Sequence, residues 1–202
     1  MHRSCCGYGR RLSILLAVLG ERFAVVLARA QEGNEAAFSQ LWRDCNPALL
    51  RYLRVIAPDA AEDVAAETWV QVVRGLAAFR GDEPAWRAWL FTTARRRAID
   101  DVRHRSRQPS EAPLRGLRAG QLPRTADAAD LAAEHFGTRW AIALLTQLPP
   151  LQAEVILLRV IAGLDTSTVA RMLGRSPGAV RVAAHRGLRR LAQILEQAGV
   201  TL

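Results

Sequence analysis

The chain has 202 residues, half of them hydrophobic and 6% aromatic, which suits one ordinary domain or two small ones and excludes a disordered or collagenous protein. Its formal net charge of +9, with a pI near 11.1, points to a polyanionic partner, either nucleic acid or an acidic membrane surface. All 28 basic residues are arginine, a bias that GC-rich coding explains as well as chemistry does, so the position of the charge is more informative than its kind.

At the N-terminus, Arg10 to Gly20 (RRLSILLAVLG) imitates the basic and apolar parts of a signal peptide. The apolar run is short, no small-residue cleavage pattern follows it, and no other stretch approaches the ~20 apolar residues of a membrane span. The expectation is cytoplasmic residence without membrane insertion, with residues 1–20 a dispensable extension. Cys5, Cys6 and Cys45 are an odd number without the paired spacing of a zinc site or a disulfide framework, which fits a reduced compartment. A metal site from His2, Cys5 and Cys6 is a weaker reading than an unstructured terminus, so no metal or cofactor is expected.

Apolar residues Phe38, Leu41, Trp42, Cys45, Leu49, Tyr52, Leu53 and Ile56 recur at helical spacing, and Pro47 is expected to kink or restart that helix. After Pro58 and Asp59, a second helix places Val64, Trp69, Val72, Val73 and Leu76 on one side, with Asp63, Glu67, Gln71 and Arg74 along another. Phe79 to Asp82 read as a turn, and Pro84 fits the first turn of a third helix running to about Arg103. Charge changes sign along this stretch: Glu21 to Val70 holds eight acids against five arginines, whereas Arg87 to Arg107 holds seven arginines against two aspartates. The third helix is therefore a candidate for DNA contact, with Arg80, Gly81 and Asp82 ahead of it and Arg95, Arg96, Arg103 and Arg107 along it. Trp86 and Trp89 share an apolar side with Leu90 and Val102, and are read as core residues rather than as platforms for an unstacked base.

Between Ser106 and Asp130 helical periodicity fails, and Pro109, Pro113, Gly116, Gly120 and Pro123 mark a flexible linker. Four helical segments follow, Ala132 to Leu148, Leu151 to Ile161, Thr166 to Leu173 and Pro177 to about Gln197, without β alternation or a fixed repeat. The expected fold is all-α: two small helical domains joined by a flexible linker, the C-terminal one containing a helix-turn-helix. That motif is read from Asp165 capping the short TSTVARML helix, from Gly174 to Ser176 as the turn, and from Pro177 opening the longer helix. On a helical wheel Val180, Ala184, Gly187, Leu188 and Leu191 cluster on the packing side, while Val182, His185, Arg186 and Arg189 face away and Arg181 lies at the edge. Arginine can bind guanine or phosphate, and valine can touch a thymine methyl, so the outward set suits a major groove. A solvated basic face is the plainer reading, but the cap, glycine turn and second helix occur together. Two basic segments after an acidic one fit two DNA contacts and a protein-binding surface; a membrane surface would call for one continuous basic amphipathic helix.

Taken together, these segments resemble the extracytoplasmic-function (ECF) group of the sigma-70 family, from about Glu21 to Gln197 with the linker as an interruption. EAAFSQLWRDCNPALLRYL is similar to the family's opening helix, AAEDVAAETWVQVV to its polymerase-binding helix, and FRGDEPAWRAWLFTTARRRAIDDVRHR to its promoter-melting segment. The stretch from Leu148 to Leu191 is similar to its fourth conserved region. The resemblance implies that residues 21–107 bind a coiled coil of the polymerase's largest subunit through Asp63, Glu67 and Gln71 and open the minus-ten element through Arg80, Gly81, Asp82, Arg95, Arg96 and Arg103. Residues 108–130 would be the linker, and 131–202 would bind the duplex minus-thirty-five element, through Arg181, Val182, His185, Arg186 and Arg189, and the flap of the second-largest subunit. Core RNA polymerase and double-stranded and locally melted promoter DNA are thus the expected partners, with an anti-sigma factor a further candidate; the chemistry would belong to the polymerase and not to this chain. The sequence departs from the family pattern at Arg96, where asparagine is usual, at Val182-Ala183 in place of Ser-Arg, and at Ser167-Thr168 in place of an acidic pair. A helix-turn-helix regulator acting without polymerase is the alternative.

Overall fold

The structure, a computed structural model, describes residues 19–107 and 140–197, so the expected linker and the His2, Cys5 and Cys6 set lie outside the described residues. Every regular element among the described residues is helical. A 3-10 turn, Gly20–Arg22, leads into α1 (Phe23–Gln31). Gly33 reverses the chain at φ +88°, and Asn34 caps α2 (Glu35–Ile56), its side chain accepting from the Ala37 N–H at 2.9 Å. A 3-10 turn begun by Pro58 opens into α3 (Ala61–Leu76). Asp82 accepts from the Ala85 N–H at 2.9 Å and so caps α4 (Glu83–Arg107). Residues 140–145 are helical, after which α5 (Pro150–Ile156) begins on proline and continues as a π turn, Leu157–Ile161. Then α6 (Thr166–Leu173) and α7 (Pro177–Gln197) form the C-terminal pair.

Leu41, Leu49, Tyr52 and Leu53 of α2, Val72 of α3 and Trp86, Leu90 and Phe91 of α4 are each no more than 1% exposed. Burying one such side chain is worth about 1.5–3 kcal/mol over leaving it in water. The polar groups of this core are tied across helices. Trp86 Nε1 donates to Cys45 Sγ at 3.4 Å, and Trp69 Nε1 to Asn46 Oδ1 at 2.9 Å. Arg87 donates to Asp44 at 2.7 Å and to Glu83 at 3.2 Å, joining α2 to the start of α4. Removing one member of a buried ion pair strands the other charge, at a cost of about 3–5 kcal/mol. Burial pushes the Cys45 thiol up to about 12, so at neutral pH it is a protonated packing group.

Sequence patterning placed too many residues in the core. Trp42 (41% exposed), Val73 (54%), Val102 (52%) and Leu188 (53%) lie at the surface. The helical period was right, but whether an apolar position is buried depends on which neighbouring helices reach that point along the axis, and none covers these four. For α7 the cause is visible: a Cβ on Gly187 would stand 2.7 Å from Ile156 Cδ1, so α7 meets α5 along Val180, Ala183 and Gly187, which turns Leu188 outward. Pro47 neither kinks α2 into two elements nor restarts it. The proline is exposed while Cys45, Ala48 and Leu49 are buried, and packing holds both halves against one core despite the missing backbone donor.

The core continues between the two modules. Val155, Leu157 and Leu158, on α5 and the π turn, belong to the same buried cluster as Leu49 and Tyr52, and α2 contacts both segments. A π turn is rare in proteins, and this one lies against α2.

Candidate nucleic-acid interface

The C-terminal motif is built from its caps. Asp165 accepts from the Ser167 and Thr168 N–H groups at 2.8 and 3.0 Å and from their hydroxyls at 2.5 and 2.6 Å. Those hydroxyl bonds above all hold its carboxyl far below the usual carboxylate range. Gly174 ends α6 in the left-handed region at φ 61°, and the Arg175 N–H returns to the Ala170 carbonyl at 2.9 Å. Ser176 then caps α7, its Oγ accepting from the Ala179 N–H at 3.1 Å. With Val180, Ala183 and Gly187 buried, Arg181, Val182, His185, Arg186 and Arg189 are all exposed. Their spacing of three, four and five residues makes one stripe, which is cationic, has no acid in it, and carries one methyl-bearing side chain at its start.

The promoter-melting candidates do not form so simple a surface. Arg96 and Arg103 are exposed on α4, and the Arg107 side chain lies outside the described residues. Arg80 is exposed but folded back, donating at 2.7 Å to both the Ala77 and Phe79 carbonyls at the end of α3. Gly81 has φ +156° and Asp82 is spent on its cap. Arg95 is paired across the modules: its Nε donates to Glu154 Oε1 at 2.8 Å, and the Tyr52 hydroxyl donates to the same oxygen at 3.0 Å. Burial, and then the adjacent carboxylate, push the Tyr52 phenol well above its usual value. Trp86 is 1% exposed and Trp89 is packed against the core, stacked on Phe79 at 5.1 Å, as expected of core residues. Residues from Ala88 to Arg96 on α4 and from Thr168 to Met172 on α6 share a groove of about 420 Å³ with arginines on both walls.

On α3, Asp63 and Glu67 are exposed one turn apart, and Val70 (48% exposed) and Val73 extend that surface with apolar groups. Gln71 is half-buried, and with its amide assigned so that the oxygen rather than the nitrogen faces the arginines, that oxygen accepts from Arg97 Nη2 at 2.9 Å and Arg74 Nη1 at 3.3 Å. Sequence reasoning overlooked Gln31, Tyr52 and Glu154 as polar partners. Glu154 carries a faint signal, a single acid inside an apolar run; the other two carry none. Among the described residues no group of histidine, cysteine and carboxylate side chains could hold a metal, and no helix is long and apolar enough to cross a membrane.

Residues 41–108 match the Sigma-70 region 2 family model and residues 138–191 the Sigma-70, region 4 model. A helical region 2 followed in the same chain by a region 4 helix-turn-helix defines a sigma-type initiation factor, which displaces the alternative of a regulator that works without polymerase. The ECF RNA polymerase sigma factor ShbA of Streptomyces griseus subsp. griseus is 34% identical over 180 residues, 84% of this chain and 93% of that protein. The chain belongs to the ECF RNA polymerase sigma factors. Of solved structures, CnrH in complex with the cytosolic domain of CnrY is similar with a TM-score of 0.56 and 25% identity, over 86% of this chain and 96% of that one. The sigma factor RpoE bound to the anti-sigma factor NepR, from Bartonella quintana, shares the fold with a TM-score of 0.55 and 22% identity, over 79% of this chain and 96% of that one.

Proposed function

We propose that this sigma factor works in the cytoplasm by docking on core polymerase through the acidic and apolar surface of α3, reading the minus-thirty-five duplex with α7, and opening the minus-ten element with the turn 79–82 and α4. Catalysis of RNA synthesis is left to the polymerase. An anti-sigma protein is a further proposed partner. The observation that most supports the reading is the exposed stripe Arg181, Val182, His185, Arg186 and Arg189, held on a helix that is capped at its start and seated by Gly187. On this reading Arg95 exchanges Glu154 for DNA phosphate, and Arg80 leaves its backbone carbonyls, as the modules separate on the polymerase. Run-off transcription tests it: promoter-dependent transcripts are expected when core polymerase and this protein are both present, and neither alone should produce them. Binding of promoter DNA by the protein alone, as tightly as by the holoenzyme and without stimulation of transcription, would refute it.

A further inference from the structure

Helix α1 lies ahead of the residues matched by the region 2 model, 41–108. Its last residue, Gln31, reaches the far end of α3, where its Nε2 donates to the Leu76 carbonyl at 2.9 Å and the Phe79 carbonyl at 2.8 Å. A helix C-terminus leaves its final carbonyls short of partners. The Phe79 N–H bonds the Gly75 and Leu76 carbonyls, both at 3.1 Å, and Arg80 Nη1 reaches those of Ala77 and Phe79. The Phe79 carbonyl therefore has two side-chain donors, one from the turn itself and one from α1.

The turn is constrained on its other side as well. A Cβ on Gly81 would stand 2.8 Å from the Ala85 Cβ and 3.2 Å from the Phe79 ring. Phe79 lies face to face with Trp89 and edge-on to Trp86, and Asp82 caps α4. Of these constraints only the Gln31 amide comes from outside the α3–α4 hairpin. If Arg80 is to meet DNA, it must leave the Ala77 and Phe79 carbonyls. Gln31 is then the side chain that keeps Phe79 bonded and the turn in register.

We propose that Gln31 is a positioning residue for promoter opening: its amide holds the 79–82 turn in its base-reading geometry while the Arg80 guanidinium transfers to DNA. This rests on the reading that the turn meets the minus-ten element. The test uses holoenzyme assembled from the full chain and core polymerase on promoter libraries randomised through each element. Gln31→Leu removes both donors at similar size, and Gln31→Met is its parallel, so that a folding defect peculiar to one replacement does not decide the matter. Gln31→Lys keeps a donor whose charge suits a helix C-terminus. The Leu and Met variants should lose minus-ten base preference by about threefold to tenfold, the size of one or two hydrogen bonds. Core affinity and minus-thirty-five preference should stay as they were, and Lys should restore the loss. A role in packing alone predicts instead that core affinity and both preferences fall together and that Lys is no better than Leu; that result overturns the proposal. Unchanged preference in the Leu and Met variants, while Arg80→Ala alters it, overturns the proposal and spares the turn. Unchanged preference in all of them, Arg80→Ala included, removes the turn from the promoter interface and the proposal with it.

Discussion

Asp165 shows how much one side chain can settle. Its carboxylate gathers two N–H and two O–H donors at the head of α6, and its charge is favoured there by the helix dipole. Because its folded pKa is depressed, its contribution is fully present above the unfolded value of about 3.9 and is lost only as pH falls through the lower folded value. Asp165→Ala should therefore destabilise the C-terminal module at pH 7 by about 1 kcal/mol, with Asp165→Asn losing less. Denaturant melts at pH 7 and in acid check this, since the deficit should persist at pH 5 and shrink only below the ordinary carboxylate range; equal midpoints at pH 7 would contradict it. This cap was legible because donor and acceptor are two and three residues apart. The Asp44–Arg87 pair, 43 residues apart, had no local signature.

At the scale of an element, α7 divides its labour between a packing row of small residues and an outward row of cations. Arg186 stands in the outward row beside His185 and Arg189, whereas Arg181 starts the second turn, at the edge of that row on the helical wheel, and is assigned to a phosphate. Arg186→Ala should cost about 1–3 kcal/mol of discrimination at one base pair of the minus-thirty-five element. Arg181→Ala should weaken all sequences alike and reduce the salt slope by about 1. Holoenzyme binding to a library of upstream elements at two salt concentrations separates the two, and identical behaviour of both variants and the parent would sink the assignment. The wheel turned Val182, His185, Arg186 and Arg189 outward, as the structure does, but it put Leu188 on the packing side and left out Ala183. Outward polar positions follow from periodicity alone, but which apolar residue seats the helix depends on how closely α5 approaches, and Gly187 set that.

For the whole molecule, the telling contact is the one between modules. Glu154 joins α5 to Tyr52 on α2 and Arg95 on α4, so a residue of region 4 holds a cation proposed to act on the minus-ten DNA. Glu154→Ala would leave the buried Tyr52 hydroxyl without its acceptor, a penalty of about 1–3 kcal/mol that separation of the modules relieves by admitting water. The free variant should be more extended than the parent, by fluorescence transfer between labels on the two modules, and should load onto core polymerase at least as fast. A parent-like distance distribution would show that apolar contact alone keeps the modules together.

By itself the sequence determined the class, the helix order, the cap at Asp165, and the solvent-facing row of α7. The cap and the outward row rest on interactions within about one helical turn, where composition and period act directly, and the class rests on the order of such segments along the chain. Tertiary structure alone decided that α2 runs through Pro47, that Trp42 and Val73 are outside, that Gln31 holds the turn after α3, and that Glu154 occupies Arg95. These outcomes depend on which helices approach each other and how closely, and that distance comes from packing across tens of residues of intervening chain.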